Sequence, residues 1–369
     1  MRVEAWDSAC ELARDLGLPS FRQRPPWLGA DLQTLRDVLR PEPMPPDRSR
    51  SLRIPVGGSD QLLARLDLPT GLAPRALVLV LPGLGSCAAA MGPRRLALAL
   101  RQEGFATLRL NPRGAGEGRP LAGGSYAAHC NRDLLPVLHR ARALAVELGA
   151  GCAAGSALPL AGVGISLGGT MLLNLCRDPA VAAGAEAGLD ALVTLSSPLD
   201  LVGCTDRFEQ PRNAFYQRWL VRRLRAQVLA DRRGLSAAER DALSGPGRPR
   251  TIRAFDERIT APRWGHASAA AYHRAASPLP ALRQRALGSR SGPPTLLLHA
   301  ADDPWVPAAP ALELADQLAQ AGTGPAAANL EVLLTRHGGH CGFHSAGDIT
   351  RCSWAERLVA AWLARRFRN

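Results

Sequence analysis

A serine set among glycines, Gly164-Ile165-Ser166-Leu167-Gly168-Gly169, follows directly on the apolar run Leu158–Ile165 and precedes a helical pattern from Thr170 to Cys176. Gly-x-Ser-x-Gly between a buried strand and a helix predicts a sharp turn that holds the Ser166 Oγ clear of the sheet edge. Glycine is needed at 164 and 168 because a β-carbon at either place would collide with the neighbouring strand or helix. A serine hydroxyl at its free pKa is a weak nucleophile, so it needs a base within hydrogen-bond reach and a third group to orient that base. Two downstream loops offer these: Ala301-Asp302-Asp303-Pro304-Trp305-Val306-Pro307 and His337-Gly338-Gly339-His340, each after an apolar run. The chain order serine, acid, histidine, with each residue on a loop at the carboxyl end of a strand, is that of a Ser-His-Asp triad on a parallel sheet. His340 is the expected base. Asp303 is preferred as the acid from its Asp-x-x-Val-Pro setting, and Asp302 is the alternative.

Two backbone N–H groups are expected to face an oxyanion at Ser166. One is that of Leu167 at the helix start, and the other that of Leu84 in Pro82-Gly83-Leu84-Gly85-Ser86, the loop closing an earlier strand. His337, His340 and His344 are also spaced like metal ligands, but they lie in a glycine-rich loop at the place a triad requires. The triad is favoured, so no metal and no cofactor are expected. Asn111-Pro112-Arg113-Gly114-Ala115-Gly116-Glu117-Gly118 lacks the fit of a dinucleotide fingerprint, and the chain has no lysine for a phosphate loop. It reads as a structural turn.

The elements that must position these groups alternate. Apolar strands are predicted at Leu62–Leu68, Ala76–Leu81, Phe105–Leu110, Leu158–Ile165, Leu189–Leu195, Pro294–His299 and Leu330–Leu334, with Gly57-Gly58-Ser59-Asp60 as a hairpin turn. Helices are predicted near 93–103, 126–148, 309–321 and 353–367. Residues 1–55 read as an arm, a helix-like segment and then a proline-rich loop, laid over a core of 56–200 and 291–369. Residues 201–290 interrupt the alternation with a mostly helical, arginine-rich stretch placed where a lid over the site would sit. Within it Tyr216, Leu220, Leu224 and Val228 share one helical face, while Arg218, Arg222 and Arg225 fall elsewhere.

At 369 residues, 46% apolar and 21% charged, the chain has enough apolar material for a large α/β core with an insertion. It has no apolar run of 18 residues, hence no expected transmembrane segment, and its first residues make a poor secretory signal, so a cytoplasmic protein is expected. Eight cysteines at 10, 87, 130, 152, 176, 204, 341 and 352 form no C-x-x-C pair, which leaves free thiols as the expectation. Of the net charge of +13, eleven units lie in 201–290, where 18 arginines face 7 acids. That segment suits peripheral contact with an anionic lipid surface or an anionic substrate head group, although a merely solvated basic face fits equally well. Nucleic acid is not an expected partner, since no aromatic-interleaved basic platform accompanies the charge.

These pieces together resemble the YheT-like branch of the α/β-hydrolases, AB hydrolase family 4. The matching residues are Pro26-Trp27-Leu28 with Leu32-Gln33-Thr34, Pro82–Ser86, Asn111–Gly114, Gly164–Gly169, Phe255-Asp256-Glu257, Ala301–Pro304 and Gly338–Phe343. Two departures from the family pattern are Asp31, where a histidine is usual, and a shortened glycine run after Leu84. The resemblance implies the α/β-hydrolase fold, a mostly parallel sheet with helices on both faces and a helical lid. It also implies a serine carboxylesterase or lipase-like enzyme with Ser166, Asp303 and His340 as its triad, with relatives acting on medium-chain acyl esters and phospholipids. The expected partner is a small acyl ester. Acyl transfer to an acceptor other than water, or a binding protein that keeps only the fold, are the competing readings.

Overall fold

The computed structural model describes residues 8–71, 73–151, 156–182, 188–289, 291–321, 329–346, 348 and 352–368. Among the described residues, eight strands form one sheet: β1 (Arg50–Pro55), β2 (Gln61–Asp67), β3 (Leu77–Leu81), β4 (Ala106–Asn111), β5 (Leu160–Ile165), β6 (Ala191–Leu195), β7 (Thr295–Ala300) and β8 (Leu330–Thr335). Their spatial order is β1-β2-β4-β3-β5-β6-β7-β8. β1 and β2 run antiparallel, β2 runs antiparallel to β4, and every later pairing is parallel.

The apolar runs become central strands because both faces of the sheet are covered, so both sets of alternate side chains are buried and mostly apolar. β3 shows it: Leu77, Leu79 and Leu81 enter the core on one face, and Val78 and Val80 that on the other. The first core is closed by the helices Asn131–Ala150, Leu167–Leu175 and Ala309–Ala321, the second by Met91–Gln102 and Trp354–Arg366.

Three elements differ from the sequence reading. Residues 50–55, assigned to the arm, pair with β2 as an edge strand whose side chains are largely exposed, so they carry no apolar signature. The supposed loop of the arm contains a helix, Ala30–Leu39, because the prolines at 25, 26 and 41 bracket a proline-free stretch. The helix expected from Tyr126 begins at Asn131, since Tyr126 packs instead against the loop after β3. The free-thiol expectation holds for Cys10, Cys87, Cys130, Cys176, Cys204, Cys341 and Cys352, while Cys152 lies outside the described residues, as do residues 1–7 and Arg290.

Between β6 and β7 the chain leaves the sheet for a run of helices from Leu201 to Ala286, the longest being Ala214–Leu229. Among the described residues, no helix is long and apolar enough to cross a membrane.

Candidate active site

β5 ends at Ile165 and the next helix begins at Leu167, leaving Ser166 alone at the corner with φ 52° and ψ −124°. A non-glycine residue adopts such a backbone only where its surroundings impose it. Here they do. The Ser166 N–H donates to Leu195 O of β6 at 2.7 Å, and glycines admit neighbours on both sides. A Cβ on Gly164 would stand 2.2 Å from the backbone of Gly169, and one on Gly168 would stand 2.4 Å from Leu81 O. The third glycine, Gly169, is equally constrained, since its Cβ would meet Ser197 Oγ at 2.0 Å.

The three candidate triad residues converge. His340 Nε2 lies 2.8 Å from Ser166 Oγ and His340 Nδ1 lies 2.9 Å from Asp303 Oδ2. Asp303 follows β7, and its other oxygen accepts the N–H groups of Trp305 at 2.8 Å and Val306 at 2.9 Å. All four lone-pair directions of an ionised carboxylate need partners when buried, and this turn supplies donors for both oxygens. Burial alone would push the Asp303 carboxyl up, but the adjacent His340 outweighs it and holds the group below its ordinary range. The same pair acts in reverse on His340: burial opposes its charge, and the Asp303 carboxylate more than offsets this, raising the imidazole above its ordinary value. Trp305 stacks on the His340 ring at 4.4 Å between centroids, shielding the dyad from water.

Asp302 takes a different part. It accepts the Gly339 N–H at 2.9 Å and lies 3.2 Å from His337 Nδ1, so it braces the histidine loop and does not touch His340. The third histidine, His344, is buried beside Asp37 at 3.6 Å, where burial and the nearby Arg95 charge lower its pKa to about 3. The three histidines thus face three separate sets of partners, and among the described residues no group of three His, Cys, Asp or Glu side chains is arranged to hold a metal ion.

The loop after β3 lies against the serine: a Cβ on Gly83 would be 3.1 Å from Ser166 Cβ. Its shape is fixed by a residue the sequence reading gave no role. Tyr126 Oη accepts the Gly85 N–H at 2.6 Å and donates to Gly83 O at 3.3 Å, so Leu84 is held from both sides. Burial keeps that phenol protonated, with its pKa pushed well up. Leu84 and Leu167 both line the cavity that opens over Ser166.

The histidine loop is held by the arm. The His340 N–H donates to Thr34 Oγ1 at 2.8 Å. Gln33, fully buried, donates to Trp27 O at 2.7 Å and His344 O at 3.0 Å and accepts the His344 N–H at 2.7 Å. The Leu-Gln-Thr and Pro-Trp-Leu residues are therefore one clamp on the loop that carries the imidazole. Asp31, beside them, accepts the Tyr216 hydroxyl at 2.8 Å and pairs with Arg212 at 3.0 Å, tying the arm to the helices after β6. The Phe-Asp-Glu residues act locally: Asp256 bonds His273 at 2.8 Å, and Glu257 accepts the Ala269 N–H at 2.6 Å. Arg113 of the Asn-Pro-Arg-Gly turn is buried in ion pairs with Asp60 and Asp133 and serves the core.

A cavity opens over Ser166, lined by Leu84, Tyr126, Leu167, Trp305 and His340 around the serine. Its walls are predominantly apolar and come mostly from the helices after β6, among them Phe208, Leu220, Leu224, Val228, Ile252 and Phe255.

The chain matches a family described as alpha/beta hydrolase fold over residues 76–346. It is 32% identical over 205 residues to YheT of Escherichia coli strain K12, provisionally named an esterase, a match covering 56% of this chain and 55% of that protein. It is 25% identical over 328 residues to a protein of Homo sapiens named phospholipase ABHD3, covering 86% of this chain and 71% of that one. The chain thus spans little more than half the length of the bacterial relative. Among solved structures, the esterase Pf2001 of Pyrococcus furiosus superposes with a TM-score of 0.51 at 14% identity, covering 93% of this chain and 96% of that one. The esterase Est2 of Thermogutta terrifontis gives a TM-score of 0.50 at 17% identity, covering 86% and 93%. At these identities the two structures bear on the fold.

Proposed function

The chain belongs to the α/β-hydrolase fold family, and from that premise we propose that it is a serine hydrolase of carboxylic esters with lipid-like acyl groups. The observation that carries this reading is the unbroken hydrogen-bond chain from Ser166 through His340 to Asp303 at the floor of an apolar cavity. The names of the esterase and phospholipase relatives agree with it.

In the proposed reaction Ser166 Oγ attacks the acyl carbonyl carbon while His340 Nε2 takes the hydroxyl proton. Asp303 keeps the imidazole in the tautomer with its proton on Nδ1 and stabilises the imidazolium. The tetrahedral oxyanion lies against the Leu84 and Leu167 N–H groups, the latter aided by the positive end of the helix it begins. Collapse expels the alkoxide, which takes its proton from His340 and leaves an acyl-Ser166 ester. Water then attacks that ester with His340 again as base, releasing the acid. Loss of one oxyanion donor in such a site costs about 3 kcal/mol of barrier. Residues 201–290 act as the lid, supplying the apolar walls that receive the acyl chain and exclude water.

The test is labelling with a fluorophosphonate, which reacts only with an activated serine. Wild type is expected to label and Ser166→Ala and His340→Ala are not; a folded wild type that stays unlabelled with and without added lipid would end the enzyme reading. A labelled enzyme is then given p-nitrophenyl esters of increasing chain length, which reads the acyl preference. Acyl transfer in place of hydrolysis would show as product that depends on an added alcohol acceptor.

A further inference from the structure

The helix Ala214–Leu229 has two faces of opposite character. Its inner face, with Leu220, Leu224 and Val228, is buried and lines the cavity over Ser166. On its outer face Phe215, Arg218, Arg222 and Leu229 fall within an arc of about 60° at 3.6 residues per turn. Both apolar members are more than half exposed, Phe215 at 61% and Leu229 at 57%, although burying them elsewhere in the fold would be favourable. The helix has no acidic residue along its 16 positions, about 24 Å of length.

The charge on that face is uncompensated. Elsewhere in the same insertion Arg212 pairs with Asp31, Arg233 with Asp60, Arg253 with Asp206 and Glu209, and Arg263 with Asp231 and Glu239, while Arg240, Arg248 and Arg258 reach backbone carbonyls. The four of this helix are not paired with any carboxylate among the described residues. Arg218 reaches only Ala214 O, Arg223 reaches Gly85 O and lies over Trp219, and Arg225 reaches Leu243 O. Exposed arginines interleaved with an exposed phenylalanine and leucine, on a helix whose other face is anchored in the protein, match the requirements of a helix lying in a membrane interface. The guanidinium groups would meet anionic head groups while the two apolar side chains enter the acyl boundary.

We infer that the outer face of the Ala214–Leu229 helix docks this protein on an anionic lipid bilayer. Docking there puts the roof of the cavity directly against the lipid. The docking itself rests on the surface alone; only its consequence, delivery of lipid esters to Ser166, rests on the ester-hydrolase reading.

The test uses the whole protein in flotation assays. One set of vesicles is phosphatidylcholine alone, the other phosphatidylcholine with an equal amount of phosphatidylglycerol. Binding is expected only to the anionic vesicles and is expected to weaken as salt is raised. Each basic residue near such a surface is worth about 1 kcal/mol, so Arg218→Gln/Arg222→Gln is expected to weaken binding about thirtyfold. Phe215→Ser is expected to weaken it as well, while duplex DNA is not expected to compete. Hydrolysis of a soluble short-chain ester, measured in parallel, is expected to be unaffected by the double arginine variant, since neither side chain lines the cavity. That control separates failure of docking from failure of the enzyme reading. Absence of binding to anionic vesicles, equal binding to neutral ones, full retention in the arginine variant, or displacement by DNA would each overturn the inference.

Discussion

The Thr34 hydroxyl, on a helix near the start of the chain, accepts the backbone N–H of His340 at 2.8 Å across a separation of 306 residues. The contact fixes the loop that carries the imidazole without touching the imidazole itself. Gly339 fits beside it only because it lacks a side chain, since a Cβ there would be 2.4 Å from Ala30 O. Thr34 is therefore a positioning residue for the proposed base.

Thr34→Val keeps the shape of the side chain and removes the acceptor, leaving the His340 N–H buried without a partner. That costs about 1–3 kcal/mol. Part of it is expected as lost stability and part as a displaced imidazole, so kcat on a p-nitrophenyl ester falls about tenfold with KM little changed. Thr34→Ser, which restores the oxygen, is expected to recover kcat even where it does not recover the melting temperature. Equal kcat in the valine and serine variants would remove the positioning role.

The two adjacent aspartates are separable by substitution. Asp303→Asn leaves the volume unchanged but presents an amide to His340 Nδ1, which favours the wrong tautomer; about a 10⁴-fold loss of kcat is the expectation for a triad carboxylate. Asp302→Asn loses a charge beside His337 and keeps an oxygen for the Gly339 N–H, so its effect on kcat is expected to stay within about tenfold. Reversal of that order would move the acid to Asp302.

How much of this arrangement was readable beforehand follows from range. The central strands are apolar on both faces, and the nucleophile turn needs glycines at fixed places, so both leave a local trace in the sequence. Spacing favours Asp303 over Asp302 without showing where each points, because that depends on the backbone direction at the end of β7: Asp303 Oδ1 meets the Trp305 and Val306 N–H groups and Oδ2 faces His340, while Asp302 turns toward the next loop. β1 reads as part of the arm because an exposed edge strand, Arg50-Ser51-Leu52-Arg53-Ile54-Pro55, carries no apolar run. The long-range bonds of Gln33, Thr34 and Tyr126, side chain to backbone, span 41 to 311 residues, which no periodicity records. Resemblance to a family singled out the first two residues without saying what they hold.

The pH profile has a definite sign. In the proposed mechanism His340 must be neutral to accept the Ser166 proton, and Asp303 raises its pKa above the ordinary value of 6.5. The ascending limb of kcat/KM on a soluble ester is therefore expected above pH 6.5, and in Asp303→Asn, with the charge gone, it is expected to shift toward lower pH in whatever activity remains. For stability the sign is opposite. A histidine whose pKa is raised on folding contributes fully below its unfolded value, and that contribution is lost as pH rises through the folded value. Activity thus rises across the interval in which the His340–Asp303 charge pair ceases to stabilise the fold. An ascending limb below pH 6 in the wild type would contradict the assignment of His340 as base.

Tyr126 gives the sharpest separation of loop shape from triad chemistry. Its hydroxyl is the partner of the Gly85 N–H, and it also bonds Gly83 O on the other side of Leu84. Tyr126→Phe removes one oxygen and leaves the ring in place, so the triad distances are unaffected and the core loses no volume. The loop after β3 loses both restraints, and the Leu84 N–H can then swing away from the oxyanion position proposed for it. A donor displaced in this way forfeits part of the roughly 3 kcal/mol that a complete loss would cost. A kcat drop of about ten- to a hundredfold with KM nearly constant is expected, because the oxyanion exists in the transition state and not in the bound ester. Fluorophosphonate labelling of the variant is expected to slow in step with kcat, since the phosphonyl oxygen occupies the same position. Tyr126 also lines the cavity, so a change confined to KM would mean that it acts as wall and not through the loop.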